Sequence, residues 1–286
     1  ENSSDWSMLI QNTTRKVDIQ SSAQLVAAWK IQSRVASDIL NNKKNDNMKY
    51  PNQSVKPIST KINNKGNLEI SKVDLVDLAK KYKTPLYVID KPTLEKMAKD
   101  YIDAFSRYKN TKILFASKAL MTGVAKVLSS LGLGFDVVSL GEMYTLINAG
   151  IDLKKSSFNG NNKSIEEIEF ALDKEIDHFS VDNFFELKQL NEAALRKNKI
   201  QKIHIRITPN IECHTHDYIK TGQTDSKFGF PIEKINDVVD LILNQYKNLN
   251  LVGLHAHIGS QIFETQPYYD LVGVLLGEIK KIKDKY

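Results

Sequence analysis

The chain reads as an α/β protein built on a parallel sheet, and three observations lead there. From residue 70 onward short β-branched or aromatic runs recur, segments of helical period separate them, and the runs are apolar enough to be covered on both faces. The runs are PLYVID (85–90), ILFASKA (113–119), GFDVVS (134–139), SSFNG (156–160), HFSVD (178–182), KIHIRI (202–207) and LVGLHAHIG (251–259). Parallel neighbours require crossover helices, so this alternation is βα repetition. Helix signals agree with it. Ser164 with Glu167 makes a capping box, Asp182 is available to cap FFELKQLNEAAL, and Gly150 stands where a helix should stop. The last segment places Leu271, Leu275, Ile279 and Ile282 on one helical face.

Residues 1–70 differ in kind. They are rich in Asn, Lys and Ser, and NNKKNDNMKYPNQSVKP (41–57) has the composition of a linker. Within them, Leu25, Ala28, Trp29, Val35, Ala36 and Ile39 fall at helical spacing, with Ser21 or Ser22 as N-cap. The expected organisation is therefore a polar extension over 1–70 with one amphipathic helix near 22–40, then a βα body over 71–286. The helix's apolar stripe needs a surface, either the body or a partner.

Composition limits the functions available. With 286 residues, 41% apolar and 26% charged, the chain can bury a sizeable core. No apolar run reaches the roughly 18–20 residues of a spanning helix, and the opening residues lack a basic then apolar leader, so membrane insertion is not expected. One cysteine, Cys213, forms no internal disulfide and fits a reducing compartment. The net charge of +6 is concentrated in the extension: residues 1–70 hold ten Lys and Arg against six Asp and Glu, leaving thirty against twenty-eight in the body. No basic stripe interleaved with aromatics is present, so nucleic-acid binding is not expected. The CHTH stretch (213–216) lacks a second ligand pair at an established spacing, and no metal site is expected.

Unusual polar residues gather where the strands should end. Lys118, Asp136, Asn159, Asn161, Asn162, Asp182, Arg206, His257 and Ser260 fall at or just beyond the carboxyl ends of successive runs. In a parallel barrel those ends converge on one mouth, and in an open sheet they line a crevice, so the spacing alone leaves both architectures available. Lys118, flanked by Ala116, Ser117 and Ala119, is a long cation at the tip of an apolar run. An amine held where its charge is disfavoured attacks an aldehyde to form a Schiff base, as a pyridoxal phosphate enzyme requires; a rim lysine that snorkels to water is the plainer reading. His257 likewise reads as a hydrogen-bonded core residue, His255 and His204 as structural, Asp225 with Lys227 as a surface pair, and Arg206 as a partner for Asp136 or Asp182.

Four segments over about residues 68–263 resemble diaminopimelate decarboxylases, members of the alanine-racemase-like barrel class of pyridoxal phosphate enzymes. FASKA resembles that family's cofactor-lysine strand, GLGFDVVSLGEMYTLINAG its second strand and helix, and FNGNNKS the following loop. IRITPNIECHTHDYIKTGQTDSKFGF with GLHAHIGSQI carries the most specific match, separating this family from ornithine and arginine decarboxylases. The resemblance implies a (β/α)8 TIM barrel of the alanine-racemase-like type and pyridoxal 5'-phosphate as cofactor. It implies a lyase acting in lysine biosynthesis, the decarboxylation of meso-2,6-diaminopimelate to L-lysine. It implies Lys118 as the amine that holds the cofactor, His257 against its ring, Ser260 at its phosphate, and Asp136 with Arg206 lining the pocket, so that Lys118 and His257 are the expected catalytic pair. A small amino-acid substrate, a homodimer or larger assembly, and a cytoplasmic or plastid-stromal home follow by the same analogy.

The sequence departs from the family's pattern at Leu120, where Asn or an aromatic residue is usual, and at Leu140, where a second glycine precedes the glutamate. About six of eight barrel strands are expected before Tyr286, with the phosphate loop, the acidic partner of the ring nitrogen and the C-terminal β-domain lacking. The 286 residues alone are accordingly expected to be inactive, and a catalytically silent, decarboxylase-derived scaffolding subunit is the alternative reading.

Overall fold

A computed structural model describes residues 27–28, 56–108, 110–118, 120, 122–211, 228–260, 262 and 264–286. The chain runs β1 (Ala27–Ala28), β2 (Lys61–Ile62), β3 (Leu68–Ile70), β4 (Val73–Asp74), α1 (Leu75–Tyr82), α2 (Lys91–Phe105), β5 (Ile113–Ala116), α3 (Thr122–Ser130) and β6 (Gly134–Val137). It continues with α4 (Leu140–Asn148), β7 (Ser156–Phe158), α5 (Ile165–Asp173), β8 (His178–Val181), α6 (Phe184–Arg196) and β9 (Gln201–Thr208). Last come β10 (Phe230–Pro231), a 3-10 turn (Ile232–Lys234), α7 (Ile235–Asn244), β11 (Leu249–His255) and α8 (Gln266–Lys285).

Six strands, β5, β6, β7, β8, β9 and β11, lie side by side in chain order, each parallel to the next. β10 adds a short parallel pairing at the end of β9. These are the six barrel strands the sequence predicts, and each crossover carries a helix. The expected caps are present with one change. Ser164 and Glu167 form a full capping box on α5, whereas α6 is capped by Asn183, whose side chain accepts from the Glu186 N–H, and not by Asp182. Asp182 is turned instead into the buried ion pair described below. Gly150, at φ +78°, follows the end of α4 as expected.

The sheet does not carry apolar residues on both faces, as the runs suggest, but alternates. Phe135, Val137, Phe158, Phe179, Val181, Ile203, Ile205 and Ile207 join Leu128, Met143, Leu146, Ile168, Leu172, Leu187, Leu190, Val239 and Ile242 of the helices in one core. The intervening residues Asp136, Ser157, Asn159, His178, Ser180, Asp182, His204, Arg206 and His255 are also buried, but polar. Register aligns them: Asp136 is level with Ser157, Ser157 with His178, Ser180 with His204, and Arg206 with His255. Partners in register point to the same side of a sheet. The inner face is therefore polar, the outer face apolar, and α8 lays Leu271, Leu275 and Ile282 onto the core.

PLYVID is not a strand. Residues 85–89 have no regular structure and Tyr87 is 94% exposed. A β-prone run becomes a strand only where a neighbour packs on it; here it leads into Asp90, the N-cap of α2. The change at residue 70 falls within a small antiparallel sheet, β2-β3-β4, that precedes α1. The helix expected near 22–40 lies outside the described residues, apart from Ala27–Ala28, which pair in parallel with Ile113 and Leu114. CHTH, Asp225 and Lys227 also lie outside them.

Gly134 opens β6 where no side chain fits: a Cβ there would meet the Lys155 carbonyl and come within 2.5 Å of Leu114 Cδ2. Gly134→Ala is expected to cost about 1–3 kcal/mol or more through overpacking, read as a lower urea midpoint at unchanged slope.

Candidate active site

The carboxyl ends of the six strands bring most of the predicted polar residues to one end of the sheet. β5 ends in a turn: the buried Ser117 donates its N–H to the Asp136 carbonyl at 2.9 Å and accepts from Leu120 N–H at 2.9 Å. Lys118 lies in that turn and is exposed. Leu120 and Leu140 both pack on the core, and Leu140 begins α4 with its N–H given to Glu167 Oε1 at 2.9 Å.

Glu142, in the first turn of α4, accepts from the Val138 N–H at 2.6 Å. Burial raises the pKa of its carboxyl, a shift opposed by the Val138 hydrogen bond, reinforced by the charge of Asp136 and eased by the Lys118 ammonium. It thus interacts with both of those predicted site residues, yet the sequence reading did not single it out. Asp136, on β6, accepts from Ser157 Oγ. Burial raises its pKa above the usual carboxylate range, against the hydrogen bonds of Ser157 and Asn159 and the charges of His178 and Arg206.

Arg206 forms an ion pair with Asp182, 3.2 Å from Nη1 to Oδ1, and its guanidinium lies 4.5 Å from the Phe228 ring centre. Of the two carboxylates proposed as its partner, Asp182 is the direct one and Asp136 acts at longer range. Behind them sits a pair with no forewarning in the sequence. The Lys163 ammonium donates to the Gly160 carbonyl (2.7 Å), the Ser180 carbonyl (2.9 Å) and Glu186 Oε1 (2.7 Å), with only 1% of its side chain exposed. Glu186 Oε2 accepts from the Asp182 N–H at 3.0 Å. The cation therefore ties the loop after β7 to β8 and, through Glu186, to the loop that follows β8.

Across the sheet, β11 ends at the buried His255, and His257 and Ser260 follow, both half-buried. Gly259, at φ +130°, makes the turn before Ser260. Asn159 Nδ2 lies 3.1 Å from His255 Nε2.

A family model described as pyridoxal-dependent decarboxylase, pyridoxal binding domain, matches residues 93–286. The chain belongs to the pyridoxal-dependent decarboxylases. Within that family its barrel is diaminopimelate decarboxylase-like. It is 42% identical over 232 residues to the diaminopimelate decarboxylase of Bacillus methanolicus, covering 79% of this chain and 53% of that protein. It is 44% identical over 212 residues to that of Halalkalibacterium halodurans, covering 72% and 48%. Among solved structures, diaminopimelate decarboxylase from M. jannaschii in complex with L-lysine superposes with a TM-score of 0.72 at 32% identity, over 80% of this chain and 54% of that one. The chain spans about half the length of these relatives.

A pyridoxal phosphate needs an amine for its aldehyde, a flat surface for its ring and donors for its anionic oxygens. This decarboxylase barrel offers an accessible amine in Lys118, an imidazole in His257, and a buried ring nitrogen, His255 Nδ1, that has no hydrogen-bond partner among the described residues. Those chemistries fit the group.

Two outcomes follow from the charges. Lys163→Met strands the buried Glu186 and is expected to cost about 3–5 kcal/mol of stability, whereas Lys163→Met/Glu186→Leu should recover most of it in the same urea titration. Asp136 works in the other sense. A carboxyl whose pKa is raised by folding favours the fold below about pH 4 and loses that contribution as pH rises through its folded value. Buried Asp136 thus weighs against folding at pH 7, and Asp136→Asn should melt about 2–4 °C higher there, with the gap closing toward acid pH.

Proposed function

We propose that the full-length protein decarboxylates meso-2,6-diaminopimelate to L-lysine, the last step of lysine biosynthesis, with pyridoxal 5'-phosphate as cofactor. The observation that carries this reading is the 42–44% identity to two diaminopimelate decarboxylases, joined to the L-lysine complex of the M. jannaschii relative. In this reading Lys118 holds the cofactor's aldehyde, His257 lies against its ring, Ser260 binds its phosphate, and Asp136 and Arg206 line the pocket. The cofactor, when bound, supplies the electron sink that lets a carboxylate leave as carbon dioxide.

The chain's own groups have narrower tasks. Lys118, at the accessible end of β5, would hold the cofactor through its amine, within reach of a substrate that enters from solvent. Near it Glu142 and Asp136 are carboxyls with raised pKa values, able to hold a proton close to the amine that must gain and lose one. Arg206, fixed by Asp182 and stacked on Phe228, holds a positive charge on the inner face where anionic oxygens are expected. The reaction replaces a carboxylate by hydrogen, so one proton is taken up per turnover. We place it in a reducing compartment, cytoplasm or plastid stroma, in keeping with the lone Cys213, and in a homodimer by analogy with the family.

The test uses full-length protein reconstituted with pyridoxal phosphate, reduced with borohydride and digested. The expected result is a cofactor-sized mass on the peptide containing Lys118, carbon dioxide released from meso-diaminopimelate, and loss of both in Lys118→Ala. A modified peptide elsewhere would reject the lysine assignment. A protein with no cofactor absorbance at all would favour the silent scaffold built on the same barrel.

A further inference from the structure

Asn159, just beyond the end of β7, and His255, at the end of β11, face one another in the barrel interior. The amide nitrogen lies 3.1 Å from His255 Nε2, and both residues are buried. Which way round the amide sits is fixed by its neighbours. The Gly160 N–H donates to Asn159 Oδ1 at 2.9 Å, which commits the oxygen side to an acceptor role. The NH2 side then faces two acceptors, His255 Nε2 and the Asp136 carboxylate, whose charge the Asn159 hydrogen bond supports. Turned over, the amide would set its nitrogen against a donor and its oxygen against a carboxylate.

This orientation dictates the state of the imidazole. A ring nitrogen that accepts from an amide carries no proton, so the proton of neutral His255 is on Nδ1. The ring is neutral because burial disfavours its charge, with the positive charge of Arg206 as the next cause. Nδ1–H is thereby a buried donor of fixed direction, and no described protein group accepts from it. Buried donors are ordinarily satisfied, so the acceptor belongs to something else that binds. Arg206, level with His255 in the β9–β11 register, puts a guanidinium on the same face, which selects an anionic acceptor.

We infer that His255, held as its Nδ1–H tautomer by Asn159, donates a hydrogen bond to an anionic oxygen of the bound cofactor or of the amino-acid substrate. The inference rests on the pyridoxal phosphate reading above and adds to it a binding residue and the amide that positions it.

The experiment is imidazole 15N NMR on full-length protein carrying 15N-histidine, with the His255 signals identified by their loss in His255→Gln. Neutral His255 is expected in the Nδ1–H form, and Asn159→Asp, which replaces the amide donor by an acceptor of the same shape, should move the proton to Nε2. Pyridoxal phosphate is added first and L-lysine second. A shift of the Nδ1 resonance with the first assigns the acceptor to the cofactor; a shift only with the second assigns it to the substrate carboxylate. His255→Gln should weaken binding of whichever ligand is so identified by about tenfold, the loss expected for one hydrogen bond to a charged group. An Nε2–H tautomer in the wild type, or an Nδ1 signal that neither ligand moves, overturns the inference. Cofactor absorbance is followed in the same samples. Binding with no response at His255 rejects this inference alone, while absence of binding rejects the functional reading and the inference with it.

Discussion

The mouth of this barrel depends on one buried ammonium. Lys163 is sealed from water and has three acceptors, the Gly160 carbonyl in the loop after β7, the Ser180 carbonyl within β8 and the carboxylate of Glu186. A buried ion pair of this kind is weak evidence for stability, because desolvating two charges costs about as much as their attraction returns. Its effect here is geometric. Through Gly160 it fixes the backbone beside Asn159, and through Glu186 it fixes the N–H of Asp182, so the partners of both His255 and Arg206 are positioned by a residue that touches neither. An apolar pair of equal volume would fill the space but leave both loops without a common anchor.

The polar inner face has a consequence for stability. Asp136, Asp182 and Glu186 all have pKa values raised first by burial, and Arg206 is lowered for the same reason, so each charged group is less stable inside than in water. None of them is expected to hold the fold together. That falls to the outer face, where the phenylalanines and isoleucines of β6 to β9 meet the helices in one continuous core. At the opposite end of the sheet the electrostatics reverse. Asp177, before β8, has its carboxyl held well below the usual range despite burial, because His178 and Lys112 pair with it. Its contribution is present above the unfolded carboxylate range and is lost as pH falls toward the folded value. The chain thus separates a charge-stabilised end from a charge-burdened end, a division expected where function demands groups that folding alone would reject.

Much of this was legible from period and caps. Six strands and the helices between them follow from the runs ILFASKA, GFDVVS, SSFNG, HFSVD, KIHIRI and LVGLHAHIG, whose strands end at Ala116, Val137, Phe158, Val181, Thr208 and His255, while the barrel order came from the family resemblance. The capping box at Ser164 followed from residue type at fixed offset. What failed did so for identifiable reasons. PLYVID has strand composition, but composition does not supply a neighbour. Asp182 and Asn183 are both good caps, and only the pull of Arg206 on Asp182 decides between them. The two-sided apolar reading went wrong because single polar residues such as Ser157 and His204 look incidental in a run until register aligns them. Lys163 and Glu186 are 23 residues apart, and no local spacing relates them.

The two histidines of the LHAHIG segment make the same point more sharply. Period 2 puts His255 and His257 on one side of the chain, so alternation cannot distinguish them, and the family resemblance singles out only the second. What separates them is the partner of each ring nitrogen. An amide whose oxygen is already committed to Gly160 can only donate to His255, and that one relation fixes the tautomer, the direction of the remaining N–H and the sign of the charge it seeks. None of those properties belongs to histidine as a residue type. They belong to the hydrogen bond two residues further out, which is where Lys163, by holding Gly160, enters the chemistry of a site it never reaches.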